Sequence, residues 1–105
     1  MNDKVVVEVS GIRLEDDSET PIMLLQDPKS FRFLPIWIGT IEAVSIAYAQ
    51  EGYVHPRPQT HDLLIDIVES LNASISEVCI TDIREKTYFA EITLNTLDGN
   101  VTLSS

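Results

Sequence analysis

Apolar and polar side chains alternate with a period of two in the first third of the chain. Residues 5–14 show this alternation, which is typical of a strand with one face more buried than the other. Short apolar runs predict two further strands over residues 22–25 and 31–38, joined as a hairpin by the turn 27–30. Pro35 lacks a backbone N–H donor, so we expect its strand to lie at an edge of the sheet there or to end near it.

The middle of the chain follows the period of amphipathic helices. Thr40 is the expected N-cap of a first helix that ends at Gly52, and Glu42 lies in its first turn, where the helix dipole favours an acid. Thr60 is the expected N-cap of a second helix over residues 61–71, which follows a stiff, proline-bearing loop. The apolar positions at helical spacing are Ile41, Val44, Ala47 and Tyr48 in the first helix and Leu64, Ile67, Val68 and Leu71 in the second.

The last third of the chain returns to strand patterns. Strands are predicted over residues 78–83 and 87–95, and Asp98-Gly99 predicts a hairpin turn into a final short strand. The order βββ-αα-βββ predicts an α+β fold with a mostly antiparallel sheet and two central helices, in a single domain of residues 1–105. The final meander needs cover on its apolar face, from the helices, from a missing segment or from a partner chain.

Composition limits the classes of function. With 105 residues and 44% hydrophobic residues, the chain can fold as one globular domain with a modest core, to which oligomerisation would add. The balance of 7 basic and 17 acidic residues gives a formal net charge of -10. Such a surface repels phosphate at long range, so it does not support non-specific nucleic-acid binding through counterion release. Nucleic-acid chemistry would have to be local and assisted by a metal ion.

The compartment follows from the cysteine content and from the N-terminus. Cys79 is the single cysteine and cannot form an internal disulfide; its apolar neighbours favour a buried structural thiol. The first residues lack the apolar core of a signal peptide, and no stretch approaches the roughly 20 apolar residues of a membrane span. These features predict a cytoplasmic protein that does not bind membranes.

The start of the second helix concentrates the candidate chemistry. A helix N-terminus carries partial positive charge and free N–H groups, so it can hold a phosphate. Arg57 can bind phosphate oxygens in a fork, and His61 can transfer a proton near neutral pH. Asp62 can orient His61 or bind a metal. Ordinary capping explains the same residues, with Thr60 as N-cap and Asp62 paired with Arg57, and the sequence leaves both interpretations open.

Two groups of acidic residues are candidates for a cation site. Asp62, Asp66 and Glu69 share one face of the second helix, where carboxylate oxygens suit magnesium and a solvated polar face equally well. Glu42 would join them if the two helix starts lie close together. The acidic loop over residues 15–19 is a second candidate, although its acids lack the spacing of a calcium loop and favour a solvated turn.

The apolar run over residues 33–39 also has two interpretations. Its single tryptophan, Trp37, is either a core residue or an interface anchor. Gly39 at the end of the run either permits close approach of the backbone at the helix entry or serves a turn.

Several of these segments together resemble the bifunctional nuclease domain family, a group of bacterial and archaeal proteins with plant members described as acting on DNA and RNA. The resembling stretches are residues 9–12, residues 34–39 with Glu42-Ala43, residues 57–64, and more weakly residues 80–83 and 88–90. They occur in the family order through nearly the whole chain. Family members usually continue past the last strand into a segment reading Arg-Pro-Ser-Asp-Ala and then a helix. We therefore expect this chain, which stops at Ser105, to be truncated or a short member.

The resemblance implies a nuclease that hydrolyses phosphodiester bonds with a divalent cation, Mg²⁺ or Mn²⁺. Asp62 with Glu42 or Asp66 would hold the metal, and His61 would act as general base or acid. Arg57 and Thr60 would bind the substrate phosphate. The alternative is a non-catalytic domain that dimerises or senses a ligand, and in either case a homodimer or other homo-oligomer is the expected assembly.

Overall fold

A computed structural model describes residues 4–14 and 20–105; the acidic loop considered above as a cation site lies outside the described residues. The elements are β1 (Glu8–Leu14), β2 (Pro21–Gln26), β3 (Phe33–Trp37), α1 (Thr40–Gln50), α2 (Thr60–Ser70), β4 (Ser74–Arg84), β5 (Thr87–Thr96) and β6 (Gly99–Ser104). All of the strand pairs in these ranges are antiparallel. The fold is therefore α+β, and the predicted βββ-αα-βββ order is confirmed.

The chain divides into two compact units, Met1–Val54 and His55–Ser105. The first contains a sheet in the order β1-β2-β3 and the helix α1, and the second contains α2 and a sheet in the order β4-β5-β6. The expectation of a single domain over residues 1–105 stays a prediction. Neither α1 nor α2 is long and apolar enough to cross a membrane.

The core of the first unit lies between its sheet and α1. Among its described residues, Ile22 and Leu25 on the central strand and Ala43 on the helix are buried. The small Ala43 side chain lets the helix approach the sheet closely, whereas Ile41 on another face of the helix is 74% exposed. The Gln50 side-chain amide also donates a hydrogen bond to the Val9 carbonyl at 3.0 Å. The predicted helix is correct, but its contact face is not the stripe that contains Ile41.

The third strand confirms the prediction made from its proline. β3 pairs with β2 and lies at the edge of the sheet, with Pro35 opposite Leu24 in regular register. Trp37, at the end of this strand, is 51% exposed, so its interpretation as a core residue is wrong. The edge position explains how the proline is tolerated without loss of a central ladder hydrogen bond.

Asp27 organises the turn between β2 and β3. Its Oδ1 accepts a hydrogen bond from the Lys29 backbone N–H at 2.9 Å, and its Oδ2 accepts one from the Ser30 hydroxyl at 2.9 Å. The Asp27 carbonyl accepts a bond from the Phe31 N–H at 2.8 Å. The Lys29 N–H, followed by the Ser30 hydroxyl, lowers the pKa of the Asp27 carboxyl from its ordinary value of 3.8. The carboxylate is thus the preferred state in the folded turn.

The second sheet contains two β-bulges that its sequence pattern conceals. β4 begins at Ser74, four residues before the predicted start, because the extra residue Ser76 breaks the alternation. A second extra residue, Thr81, lies near the other end of the strand. Both hydroxyls donate to carbonyls of the neighbouring strand, Ser76 to Thr93 at 3.1 Å and Thr81 to Phe89 at 3.3 Å. The bulges are therefore anchored to β5 by their own side chains.

The hairpin turns of this sheet differ from each other. Glu85 and Lys86 between β4 and β5 have φ angles of 49° and 68°, as a two-residue type I′ turn requires. The turn between β5 and β6 uses Leu97 and Asp98, and Gly99, with φ 109°, is already paired in β6. The predicted hairpin at Asp98-Gly99 is confirmed, with its loop shifted by one residue.

Both helices end in the same way. The N–H groups of Gly52 and Tyr53 donate to carbonyls of the last turn of α1, the pattern of a Schellman motif, and Gly52 has a φ of 70°. The C′ role predicted for Gly52 is confirmed. In α2 the same role belongs to Asn72, with a φ of 59°, while Ala73 donates to the Val68 carbonyl at 3.2 Å. Asparagine is the common non-glycine residue in this conformation.

Cys79 departs from its expectation. The thiol is half-buried, whereas a buried structural thiol was predicted. Cys79 pairs with Glu91 in the sheet register and shares the face of the sheet that carries this acid. An apolar run in sequence therefore splits between two faces once it forms a strand.

We expect the stability of the β2–β3 turn to fall in acid through Asp27. Because the pKa of this carboxyl is lowered in the folded chain, its contribution is complete above pH 3.8 and is lost as the pH falls through the lowered pKa. Thermal unfolding between about pH 6 and about pH 2 measures this loss. Asp27→Asn should be less stable at neutral pH and show a smaller acid-induced fall than the wild type. Asp98→Asn, in the other turn, is the control, and an equal reduction in both variants contradicts the assignment.

We also expect the type I′ turn to gain stability from residues suited to positive φ. Replacing Glu85 by Asn and Lys86 by Gly relieves the strain of two left-handed residues and should raise the free energy of unfolding by about 1 kcal/mol. Urea unfolding monitored by circular dichroism measures the difference. Asp98→Asn is the matched control, because Asp98 does not have positive φ. A double variant no more stable than the wild type would show that the turn is unstrained.

Candidate functional site

The start of α2 is built by a change of backbone conformation at Gln59. This residue is extended, with φ -80° and ψ 175°, and Thr60 is already helical. The Asp62 Oδ2 accepts a hydrogen bond from the Gln59 backbone N–H at 2.9 Å, as the third residue of a capping box does. The N-cap is therefore Gln59, and the prediction of Thr60 as N-cap is wrong by one residue.

The Asp62 carboxylate thus performs the capping part of its predicted roles. Within the described residues it forms neither an ion pair with Arg57 nor a hydrogen bond with His61. The expected Arg57–Asp62 pair is absent because Asp62 turns back towards the Gln59 N–H. One oxygen of Asp62 is committed to the helix start, and the carboxylate as a whole is exposed.

His61 differs from its neighbours in being half-buried. Its imidazole makes no hydrogen bond with another residue in the described ranges. The first intrahelical bond runs from the Leu63 N–H to the Gln59 carbonyl at 2.8 Å, so the N–H groups of Thr60 and His61 precede the ladder. The first turn of α2 therefore contains the half-buried imidazole of His61 and two backbone N–H groups that make no intrahelical hydrogen bond.

Arg57 lies two residues before the N-cap and is exposed. Its carbonyl accepts a long hydrogen bond from the Gln59 side-chain amide at 3.5 Å. Its guanidinium makes no ion pair with another residue in the ranges 4–14 and 20–105. The cation is therefore available to an anion at the helix start, where the helix dipole has the same sign.

The acidic residues of α2 line one helix face, as predicted from their spacing. Asp62, Asp66 and Glu69 are exposed and lie at i, i+4 and i+7. The described part of the chain contains no group of three or more His, Cys, Asp or Glu residues placed to hold a metal ion. Mg²⁺ accepts one or two carboxylates together with waters and phosphate oxygens, so Asp62 and Asp66 could take part in holding it. Their role as metal ligands stays a prediction.

Glu42 occupies the same helical position in α1 as Asp62 does in α2. Its carboxylate lies against Gly39, the N-cap of α1, where any larger residue would place a Cβ in contact with it. The prediction of Thr40 as N-cap is therefore wrong by one residue, because Thr40 is already helical. Gly39 therefore provides room for the returning acid. Glu42 belongs to the first compact unit and His61 and Asp62 to the second, so their predicted convergence stays a prediction.

Gln59 is the structural residue that the sequence interpretation missed. A signal for it exists, since Gln59 and Asp62 have the three-residue spacing of a capping box. Glutamine is outside the usual set of N-cap residues, and Thr60 beside it belongs to that set. Preference for the better capping residue shifted the predicted helix start.

The chain is similar to a known domain family and to two known proteins. The model of the bifunctional nuclease domain matches residues 23–105, which include α1, α2 and the β4–β6 sheet. Two uncharacterized proteins of Mycobacterium tuberculosis, from strains CDC 1551 / Oshkosh and ATCC 25618 / H37Rv, are each 42% identical to this chain over 99 residues. The aligned region covers 94% of this chain and 58% of each relative, so the chain spans less than two thirds of their length. By the extent of these matches, the chain belongs to the bifunctional nuclease domain family.

Proposed function

We propose that this chain hydrolyses phosphodiester bonds of DNA or RNA at the start of α2. The observation that carries the proposal is the half-buried imidazole of His61 in the first turn of α2. The first backbone N–H groups of this turn make no intrahelical hydrogen bond. Such a turn combines a group that transfers protons near neutral pH with donors for an anion. Membership of the bifunctional nuclease domain family supports the same reaction.

The reaction assigns a separate task to each residue. A water oxygen attacks phosphorus, the bond from phosphorus to the leaving oxygen breaks, and one proton moves from the water to the leaving group. His61 accepts the proton from water as general base or donates one to the leaving oxygen as general acid. The N–H groups of Thr60 and His61, together with Arg57, stabilise the charge on the non-bridging oxygens. Mg²⁺ or Mn²⁺ held by Asp62 and Asp66 would supply further charge neutralisation.

The negative net charge of the chain affects its binding of nucleic acid. A net charge of -10 repels nucleic acid at long range, so binding depends on the few donors at the helix start. We expect single phosphates at flexible or single-stranded sites to be reached more easily than a rigid duplex. The free thiol of Cys79 agrees with a reducing compartment, and we propose the cytoplasm as the location.

A second candidate function is a non-catalytic domain that assembles or senses a ligand. The observation that favours it is the set of large hydrophobic side chains exposed on both sheets and both helices. The two candidates differ in the cleavage assay, because only a nuclease loses activity when His61 is replaced.

Cleavage of nucleic acid by the full chain tests the role of His61. Purified protein should cut single-stranded DNA or RNA in the presence of Mg²⁺ or Mn²⁺, and His61→Ala should lower kcat/KM by about 100-fold or more through loss of proton transfer. Fluorescent oligonucleotides of each type measure the rates. His55→Ala, which removes the other histidine of the chain, is the matched control and should retain activity. Cleavage that survives His61→Ala indicates a contaminating nuclease, and no cleavage with either metal supports the non-catalytic candidate.

Substitutions at Asp62 separate its capping role from its chemical role. Asp62→Ala removes the acceptor of the Gln59 N–H and should cost about 1 kcal/mol of folding free energy, whereas Asp62→Asn keeps an acceptor and should cost less. If the negative charge of Asp62 holds a cation, both variants lose activity and require more Mg²⁺ for half-maximal rate. Asp66→Asn, which leaves the cap intact, should raise the Mg²⁺ requirement without the stability loss. Full activity in Asp62→Asn would limit Asp62 to capping.

A further inference from the structure

The turn between β2 and β3 and the edge strand that follows it differ in charge from the rest of the chain. Residues 28–41 contain two cations, Lys29 and Arg32, and no acid, although the whole chain contains 17 acidic and 7 basic residues. The same segment contains two of the three phenylalanines, Phe31 and Phe33, and the single tryptophan, Trp37. We call these five residues, which all belong to the first unit, the aromatic edge.

The three rings of the aromatic edge lie outside the core of the first unit. Phe31 is 72% exposed, Phe33 52% and Trp37 51%. In β3, Phe33 and Trp37 are four residues apart and point to the same side, about 13 Å from each other along the strand. Because β3 is the outermost strand of its sheet, the rings follow one line along the edge.

Phe31 is held in a backbone conformation that a bulky side chain rarely adopts. Its φ is 60°, in the left-handed region. The Phe31 N–H donates to the Asp27 carbonyl at 2.8 Å and the Asp27 N–H donates to the Arg32 carbonyl at 3.0 Å, so the turn fixes this conformation. The strain is not offset by burial of the ring in the core. Strain retained at an exposed aromatic residue favours a role in binding over a role in packing.

Both cations of the aromatic edge are available to an anion. The carboxylate oxygens of Asp27 accept hydrogen bonds from the Lys29 backbone N–H and the Ser30 hydroxyl, each at 2.9 Å. The Arg32 Nε lies 3.4 Å from the Ser30 hydroxyl, and neither Lys29 nor Arg32 forms an ion pair with another residue in the ranges 4–14 and 20–105. Two exposed positive charges therefore flank Phe31 along the chain.

We infer that the aromatic edge binds a single-stranded segment of nucleic acid. Sequence-independent sites for single strands combine aromatic rings, on which bases stack, with cations that contact the backbone phosphates. A line of rings beside two cations fits a linear ligand whose bases are not paired with a second strand. The choice of nucleic acid as ligand rests on the proposed function, although the aromatic edge belongs to the first unit and His61 to the second.

An anionic membrane is the other partner that aromatic and basic side chains recognise. A membrane presents a plane of many headgroup charges, which repel a chain with a net charge of -10 as a whole. A flexible single strand needs to bring only a few phosphates to Lys29 and Arg32. The charge of the chain therefore favours the single strand.

Fluorescence of the single tryptophan tests the binding of a single strand by the full chain. In EDTA, which removes the metal of the proposed cleavage, an oligothymidylate of about eight nucleotides should quench Trp37 with a dissociation constant of about 100 μM or lower. An abasic oligonucleotide of the same length has the same phosphates but no bases, and it should bind at least about fivefold more weakly. Equal affinity for the two ligands, or no change in Trp37 fluorescence, overturns the inference.

A glycine substitution separates binding from folding. Phe31→Gly removes the ring and relieves the positive φ, so it should weaken oligothymidylate binding at least about fivefold while thermal stability is retained or raised. Asn72→Gly is the matched control, because it relieves a φ of 59° in α2 and should leave binding unchanged. A Phe31→Gly variant that binds as tightly as the wild type overturns the inference.

Two further results identify the ligand and separate binding from cleavage. Vesicles that contain phosphatidylserine should leave the emission of Trp37 unchanged. A blue shift with these vesicles, without quenching by oligothymidylate, would make the aromatic edge a membrane contact and overturn the inference. Base-dependent binding in EDTA together with no cleavage in Mg²⁺ or Mn²⁺ would contradict the proposed function and support the aromatic edge as a binding surface.

Discussion

Backbone hydrogen bonding between antiparallel strands carries much of the described structure, because few side chains are buried. In the described residues the buried hydrophobic side chains are Ile22, Leu25 and Ala43, all in the first unit. The β4-β5-β6 sheet keeps its register through its ladder, its two anchored bulges and its tight turns. Small departures in turn chemistry therefore weigh more here than in a protein with a large core.

Structural features were predicted correctly from the sequence where a single residue type restricts the backbone conformation directly. Gly52 was recognised as a helix end because glycine adopts positive φ at little cost. Asn72 adopts the same conformation in α2, but asparagine is also frequent in turns and loops, so it gave no distinct signal. Pro35 correctly indicated an edge strand, since a missing donor restricts the place of a strand directly.

Tertiary context determined what the sequence could not show. The first residues of β4 were missed because Ser76 breaks the alternation of apolar and polar side chains that indicates a strand. Their place in the strand follows only from their pairing with β5. The apolar residues of α1 indicated a helix correctly, but the small Ala43 determines which side meets the sheet. The candidate residues of α2 were identified by type and spacing, whereas the choice of Gln59 over Thr60 as cap depends on one backbone rotation.

The start of α2 also shows that a cap and a functional motif can share residues. One carboxylate oxygen of Asp62 caps the helix, and the side chain is exposed to solvent. The other oxygen can therefore take part in a second, functional interaction. Glu42 occupies the equivalent position in the other helix, with its carboxylate beside Gly39. Residues that fold back on a helix start are held in place before any ligand arrives, which reduces the entropy lost on binding.

The bulges of β4 have a consequence for the comparison of related sequences. Deleting Ser76 or Thr81 would leave a regular strand in which every other residue keeps its partner and its face. Deleting Cys79 instead would shift the register by one residue, so that the side chains before or after the deletion would point to the wrong face of the sheet. Single-residue gaps in an alignment of relatives are therefore structurally neutral at these two positions and disruptive between them.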